Sequence, residues 1–256
     1  MSTAPLPPID AATPPPAPRR SRYGFCLWAA FAVWWVAWAI RPRYMTNWMV
    51  ENALVGALLA LLWFTRRRFP LSNVSYTLIV LFLTLHTVGA HYSYSEVPYN
   101  AWWQTLFGRP LSTGRNHYDR LVHFSFGLLL AYPIRELFLR IAGVRGFWGY
   151  YLPLDVTMSF SMLYELIEWA YAATAGGDAG ASFLGTQGDE WDAHKDMALA
   201  SLGALINMGA VAAINWRFDR RFGEEMRDSL RVKGAPLGEV RLGELRGQPT
   251  APERAP

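Results

Sequence analysis

The sequence predicts an all-α integral membrane bundle of about six transmembrane helices, with both termini in the cytoplasm. Three observations predict it. Apolar stretches of spanning length recur between residues 25 and 216. Arginines collect on one side of those stretches. The short alternating segments that a transmembrane barrel requires are absent. A hydrocarbon core of about 30 Å takes roughly 20 helical residues.

The first stretch, 25–40, is rich in tryptophan and lies between Arg19, Arg20, Arg22 and Arg41, Arg43. The second, 48–64, stops at Arg66-Arg67-Arg68. The third, 74–90, carries His86 and runs into His91. The fourth, 121–139, holds Pro133, Arg135 and Glu136 near its far end, the last two expected as a local ion pair or a snorkelling anchor. The fifth, 147–173, is long and contains Asp155, Glu165 and Glu168. The sixth, 197–216, is bounded by Arg217, Arg220 and Arg221.

Orientation follows from the basic residues beside the spans. One side receives Arg19, Arg20, Arg22, Arg66–Arg68, Arg140, Arg145, Arg217, Arg220 and Arg221, with Arg227, Arg231 and Lys233 just beyond. The other receives Arg41, Arg43, Arg109, Arg115, Arg120 and Lys195. The bias exceeds twofold, so the long loops 92–118 and 174–196 face outward. Residues 1–21 form a Pro-rich tail expected to be disordered, 22–218 the transmembrane domain, and 219–256 a charged cytoplasmic tail whose 217–233 segment suits a helix on the inner surface.

Composition narrows the function classes. The chain is 52% hydrophobic, and its mean hydropathy is only +0.08 because both tails are polar. The net charge of +4 sits beside the spans and no nucleic-acid motif accompanies it, so the partner is the bilayer rather than nucleic acid. The single cysteine, Cys26, excludes an intrachain disulfide, a Cys-x-x-Cys pair and a cysteine-based metal site. Nucleophile-elbow, Walker and dinucleotide-binding patterns are missing, as are His-x-x-x-His zinc pairs.

The ionisable residues that look misplaced in an apolar chain all map to the outward side, and such groups usually mark a working site. Asp119 and His123 are four apart and share a helical face, suiting two metal ligands or a carboxylate orienting an imidazole, or else a helix cap beside a core histidine. Glu165 and Glu168 are three apart in the fifth span, where two carboxylates require a proton, a cation or an arginine between them. Asp189, Asp192 and Asp196 form a stripe leading into the sixth span, with Thr186 or Asp189 placed to cap it. The helix dipole accounts for one such carboxylate but poorly for three. His86 and His91 are five apart, a poor spacing for one face, which puts one of them in the loop. Glu51 and Asn52 open the second span at the same level.

At these motifs the chain resembles the YjdF-like family of bacterial inner-membrane proteins. The matching strings are Val50-Glu51-Asn52, Gly89-Ala90-His91-Tyr92, Tyr118 through Phe124, Tyr164 through Trp169, and Gly185 through Asp196. The resemblance covers roughly residues 22–218 and implies a multi-pass protein of the bacterial inner membrane. It carries over no catalytic residue, because the family is a domain of unknown function.

The leading expectation is an outward-facing pocket in which Asp119, His123, Glu165, Glu168, Asp189, Asp192 and Asp196, assisted by His91 or His86, bind a divalent cation such as zinc, manganese or magnesium. Glu165, Glu168 and His123 are the candidate catalytic groups, for hydrolysis or transfer on a lipid-linked substrate. Two other classes stay open: a proton- or cation-coupled carrier, and a structural or assembly protein held together by the same residues.

Overall fold

The computed structural model describes residues 22–109, 111, 114–177, 180, 184–234 and 245, and the regular structure among them is helical throughout. Residues 1–21 lie outside the described residues, as does nearly all of the segment beyond 234. The helices are α1 (Arg22–Ala39), α2 (Met45–Thr65), α3 (Asn73–Tyr92), α4 (Tyr99–Phe107), α5 (Tyr118–Ile141), α6 (Trp148–Ala175), α7 (Asp192–Phe218) and α8 (Phe222–Ser229). Four of them, α2, α3, α5 and α7, are long and apolar enough to cross a membrane. Four tryptophans in α1 and three carboxylates in α6 lower the hydropathy of those two helices.

In segments apolar on nearly every face, residue size rather than hydrophobicity selects the packed face. α5 and α7 make the most extensive contact in the molecule through Gly127, Ala131, Ala200, Gly203 and Ala204, and the three alanines are 0% exposed. A Cβ at Gly127 would overlap the Ala200 carbonyl, and one at Gly203 would overlap the Phe124 carbonyl. α3 packs on α5, α6 closes over both α5 and α7, and α1 and α2 attach through α3 around Phe31, Val55, Ile79, Val80 and Leu83.

Several expectations need correction. α5 and α7 begin at Tyr118 and Asp192, earlier than the expected 121 and 197, because cross-loop ion pairs neutralise the charges in the added turns. Glu136 does not pair with Arg135, since adjacent residues on a helix point apart. Its partner is Arg140, one turn on at 2.5 Å, and the carboxylate also accepts from Ser72 N at 2.9 Å and Ser72 Oγ at 2.8 Å, holding the start of α3. Arg135 lies over the Tyr150 ring instead, 4.6 Å from its centroid. The loop between α3 and α5 contains helix α4, whose Trp102, Trp103, Leu106 and Phe107 are exposed, a composition suited to the lipid–water interface. α8 docks on the start of α6, where Ser229 accepts from Phe147 N through Oγ and from Trp148 Nε1 through its carbonyl, both at 2.9 Å.

Candidate functional site

The close approach of α5 and α7 brings Asp119 and His123 beside Asp196, and α6 adds Glu165. One ligand atom each from Asp119, His123 and Asp196 lies within 4.8 Å of the others. His123 Nε2 is 3.6 Å from Asp119 Oδ1 and 3.4 Å from Glu165 Oε1. His123, Glu165 and Asp196 are buried, and neither Glu165 Oε1 nor Asp196 Oδ1 has a hydrogen-bond partner. Buried carboxylates in this arrangement require a proton or a counter-charge. Two oxygens and an imidazole nitrogen, with a further oxygen adjacent, are a donor set that zinc, manganese or magnesium accepts.

A second buried cluster stands alongside. Tyr164 donates to Glu51 Oε2 at 2.9 Å, and the Tyr94 hydroxyl is 2.7 Å from His86 Nδ1 and 3.4 Å from the same Glu51 oxygen. His86 Nε2 lies 3.9 Å from Glu51 and makes no hydrogen bond. Tyr94 arrives there because the chain reverses at Ser93 and Tyr94, both with positive φ (56° and 53°), and its ring then occupies the space a Cβ at Gly89 would need. Such left-handed backbone in bulky residues persists only where surrounding contacts enforce it. Burial first, then the Glu51 carboxylate, pushes the Tyr94 phenol well above its ordinary pKa, so it stays a donor. The His123–Tyr164 ring contact at 5.7 Å joins the two clusters. Glu168 is also buried, one turn beyond Glu165 on α6.

Asp189 and Asp192 have a different setting from Asp196. Arg115 binds Asp192 and the Thr186 carbonyl, while Arg120 reaches Asp189 Oδ2 at 2.5 Å and Asp192 Oδ1 at 3.3 Å. Lys195 Nζ adds bonds of 2.9 and 2.6 Å to the two Asp189 oxygens. Asp189 Oδ1 also accepts from Trp191 N, closing a short turn just before α7. The N-cap itself is Trp191 and no side chain caps the helix, so neither Thr186 nor Asp189 takes the capping role expected of them. The reciprocal pairing of Asn116 and Gln187 through backbone and amide, at 2.8 and 3.0 Å, fixes the loop before α5 to the loop before α7. These two aspartates therefore anchor an ion-paired cap, and neither belongs to the group of close ligand atoms formed by Asp119, His123 and Asp196.

His91 departs furthest from expectation. Both histidines are on α3, which runs to Tyr92, and five residues at 3.6 per turn place them about 140° apart. His91 Nδ1 meets the Trp38 carbonyl at 2.8 Å and its ring packs on Trp38 and Tyr92, away from the centre. Asn52 likewise turns away and accepts from Trp35 Nε1 at 2.7 Å. His194 is exposed, beside Trp191. Asp155 is exposed on α6. Sequence reasoning counted Arg115 and Arg120 only for topology, although their charges complement the aspartate stripe. It had no signal for Tyr94, whose position depends on the turn that follows α3.

The cap has a pH signature. The hydrogen bond from Lys195, ahead of other donors, draws Asp189 from its ordinary 3.8 down to about 2. A depressed carboxylate stabilises the folded state fully above its unfolded value, and that contribution is lost as pH falls through the folded value. The thermal stability difference between the wild type and Asp189→Asn is therefore expected to be full above about pH 4 and to shrink towards zero near pH 2. A constant difference across that range, followed by scanning calorimetry, would contradict this role.

A helical multi-pass architecture with carboxylates and an imidazole buried under an ion-paired cap defines a membrane protein with an internal polar centre. The chain belongs to the family described as "Predicted membrane protein (DUF2238)", which matches residues 23–217. It is 42% identical over 178 residues to "Inner membrane protein YjdF" of Escherichia coli (strain K12), covering 69% of this chain and 83% of that relative. No solved structure matches.

Proposed function

We propose that this chain is an inner-membrane protein with six spans (α1, α2, α3, α5, α6 and α7) and cytoplasmic termini, which binds a divalent cation at an outward-facing centre of Asp119, His123 and Asp196. The arginine bias along the sequence supports the orientation, and the E. coli relative's name supports the compartment. The observation that carries the reading is the convergence of three ligand atoms from α5 and α7 within 4.8 Å, with Asp196 Oδ1 and the adjacent Glu165 Oε1 buried and unpartnered.

The chemistry it suits is hydrolysis or transfer at the head of a lipid-linked substrate. A bound ion would supply Lewis acidity to a head-group oxygen. Glu165, whose Oε1 lies 3.4 Å from His123 Nε2, would then hold the proton released by the attacking nucleophile, with Glu168 one turn further along α6. Arg115, Arg120, Asp189 and Asp192 would position the cap and hold water away from the centre.

Metal content of the purified protein, by plasma mass spectrometry, tests the site. About one divalent ion per chain is expected in the wild type, and a loss of nearly all of it in Asp119→Asn/Asp196→Asn, which keeps side-chain shape but removes two anionic ligands. A folded wild type that is metal-free after exposure to zinc, manganese and magnesium would refute it.

A further inference from the structure

Below the two clusters, α2, α3, α5 and α6 surround a cavity of about 670 Å³. This is within the range of roughly 300–1,000 Å³ typical of ligand sites and far larger than the voids of a packed interior. On α5 its wall extends from Asp119 to Ile141, which at 1.5 Å per residue is roughly 33 Å, close to the thickness of the hydrocarbon core. The wall is almost entirely apolar. Its ionisable groups, His86, Tyr94, Asp119, His123 and Tyr164, stand together at one end, while Leu137 and Ile141 line the other. An apolar cavity does not hold ordered water.

The opening is sideways. Leu54 and Leu61 of α2 and Phe160, Leu163 and Ile167 of α6 all line the cavity, yet are exposed on the flank of the bundle. In a membrane that flank faces acyl chains. α2 attaches chiefly to α3, and its hydrogen bond to α6, Tyr164 to Glu51, lies at the polar end. At that end the buried His86 lines the cavity, and its Nε2 has no hydrogen-bond partner.

We propose that the cavity holds one hydrocarbon chain of a bilayer lipid, admitted laterally between α2 and α6, with the lipid's polar head at the His86–Tyr94 and Asp119–His123 end. The proposal deepens the function proposed above by giving the substrate's chain its path, and it rests on that reading only for the chemistry at the head. The matching features are the apolar wall, long enough to take a chain that reaches through one leaflet, about half the hydrocarbon core, the single polar end and the lipid-facing side opening.

The experiment is photolabelling in vesicles of phosphatidylglycerol bearing a diazirine midway along one acyl chain, with labelled positions mapped by peptide mass spectrometry. Leu81 and Ile206, exposed on the bundle's surface, report the bulk bilayer. Phe126 and Leu58 line the cavity about two helical turns from its polar end. Labelling of Phe126 and Leu58 is expected in the wild type, with a loss of about tenfold or more at Phe126 in the cavity-filling variant Leu130→Trp. Leu58→Phe serves as a second filling variant should Leu130→Trp not fold. Labelling confined to the surface positions, or interior labelling that survives both filling variants, overturns the proposal. In Asp119→Asn/Asp196→Asn, interior labelling that persists without metal upholds the chain site independently of the centre. Metal retained by a wild type with no interior labelling rejects the chain site and leaves the metal reading intact.

Discussion

Alanine at Gly127 or at Gly203 is expected to prevent accumulation of stable protein, although it adds only one methyl group. A Cβ at either position would run into the backbone of the facing helix: Ala200 O and Ala204 N for Gly127, Phe124 O and Leu128 N for Gly203. A clash with backbone cannot be relieved by a change of rotamer, so α5 and α7 must separate along the contact that brings Asp119 and His123 to Asp196. Overpacking typically costs about 1–3 kcal/mol and occasionally more; a rigid backbone partner puts these two at or above the top of that range. Gly56 is the control, since nothing lies within 4 Å of its Cβ position. Gly56→Ala should be neutral or stabilising by up to about 1 kcal/mol through helix propensity. Fluorescence-detected size exclusion and thermal unfolding in detergent read both effects. Equal stability of all three variants would rule out the close approach as the organiser of the bundle.

Asp192→Ala is expected to be the most damaging change in the cap. Asp192 is buried and receives both Arg115 and Arg120, so its removal takes away the close carboxylate of Arg115 and leaves both largely buried guanidinium groups to share Asp189. Breaking a buried ion pair from one side costs about 3–5 kcal/mol. Local release of the cap limits how much of this appears as global unfolding, and the sharper readout is limited trypsin digestion. Cleavage after Arg115, slow while its guanidinium is held to Asp192 and the Thr186 carbonyl, should become the first cut in Asp192→Ala. Asp189→Ala, which leaves Asp192 in place, should show a smaller increase. An unchanged digestion pattern in Asp192→Ala would mean that the loops are held by other contacts.

The two changes mark different limits of what is legible in the chain. The α5–α7 helices were readable as apolar stretches, but Gly127 and Gly203 look the same in sequence as Gly56, which faces open space. Asp189, Asp192 and Asp196 form one regular stripe in sequence, yet Arg115 and Arg120 take the first two, while Asp196 turns inward to His123. The pairing of His86 with Glu51 and Tyr94 depends on a left-handed turn at Ser93 and Tyr94 that no glycine, asparagine or proline announces.

The sequence by itself determined the helical class, the approximate extent of the long helices, the residues of unusual cost in an apolar setting and the family resemblance. These follow from hydrophobicity and charge, which act locally along the chain. Only the tertiary structure decided which carboxylates are paired with arginines, which meet an imidazole, and that an apolar cavity lies beneath them. Asp119 and Asp196 are far apart in the chain and meet because two glycine- and alanine-lined helix faces can approach closely enough to bring them together. That convergence depends on the shape of packed surfaces, which hydropathy and spacing do not encode.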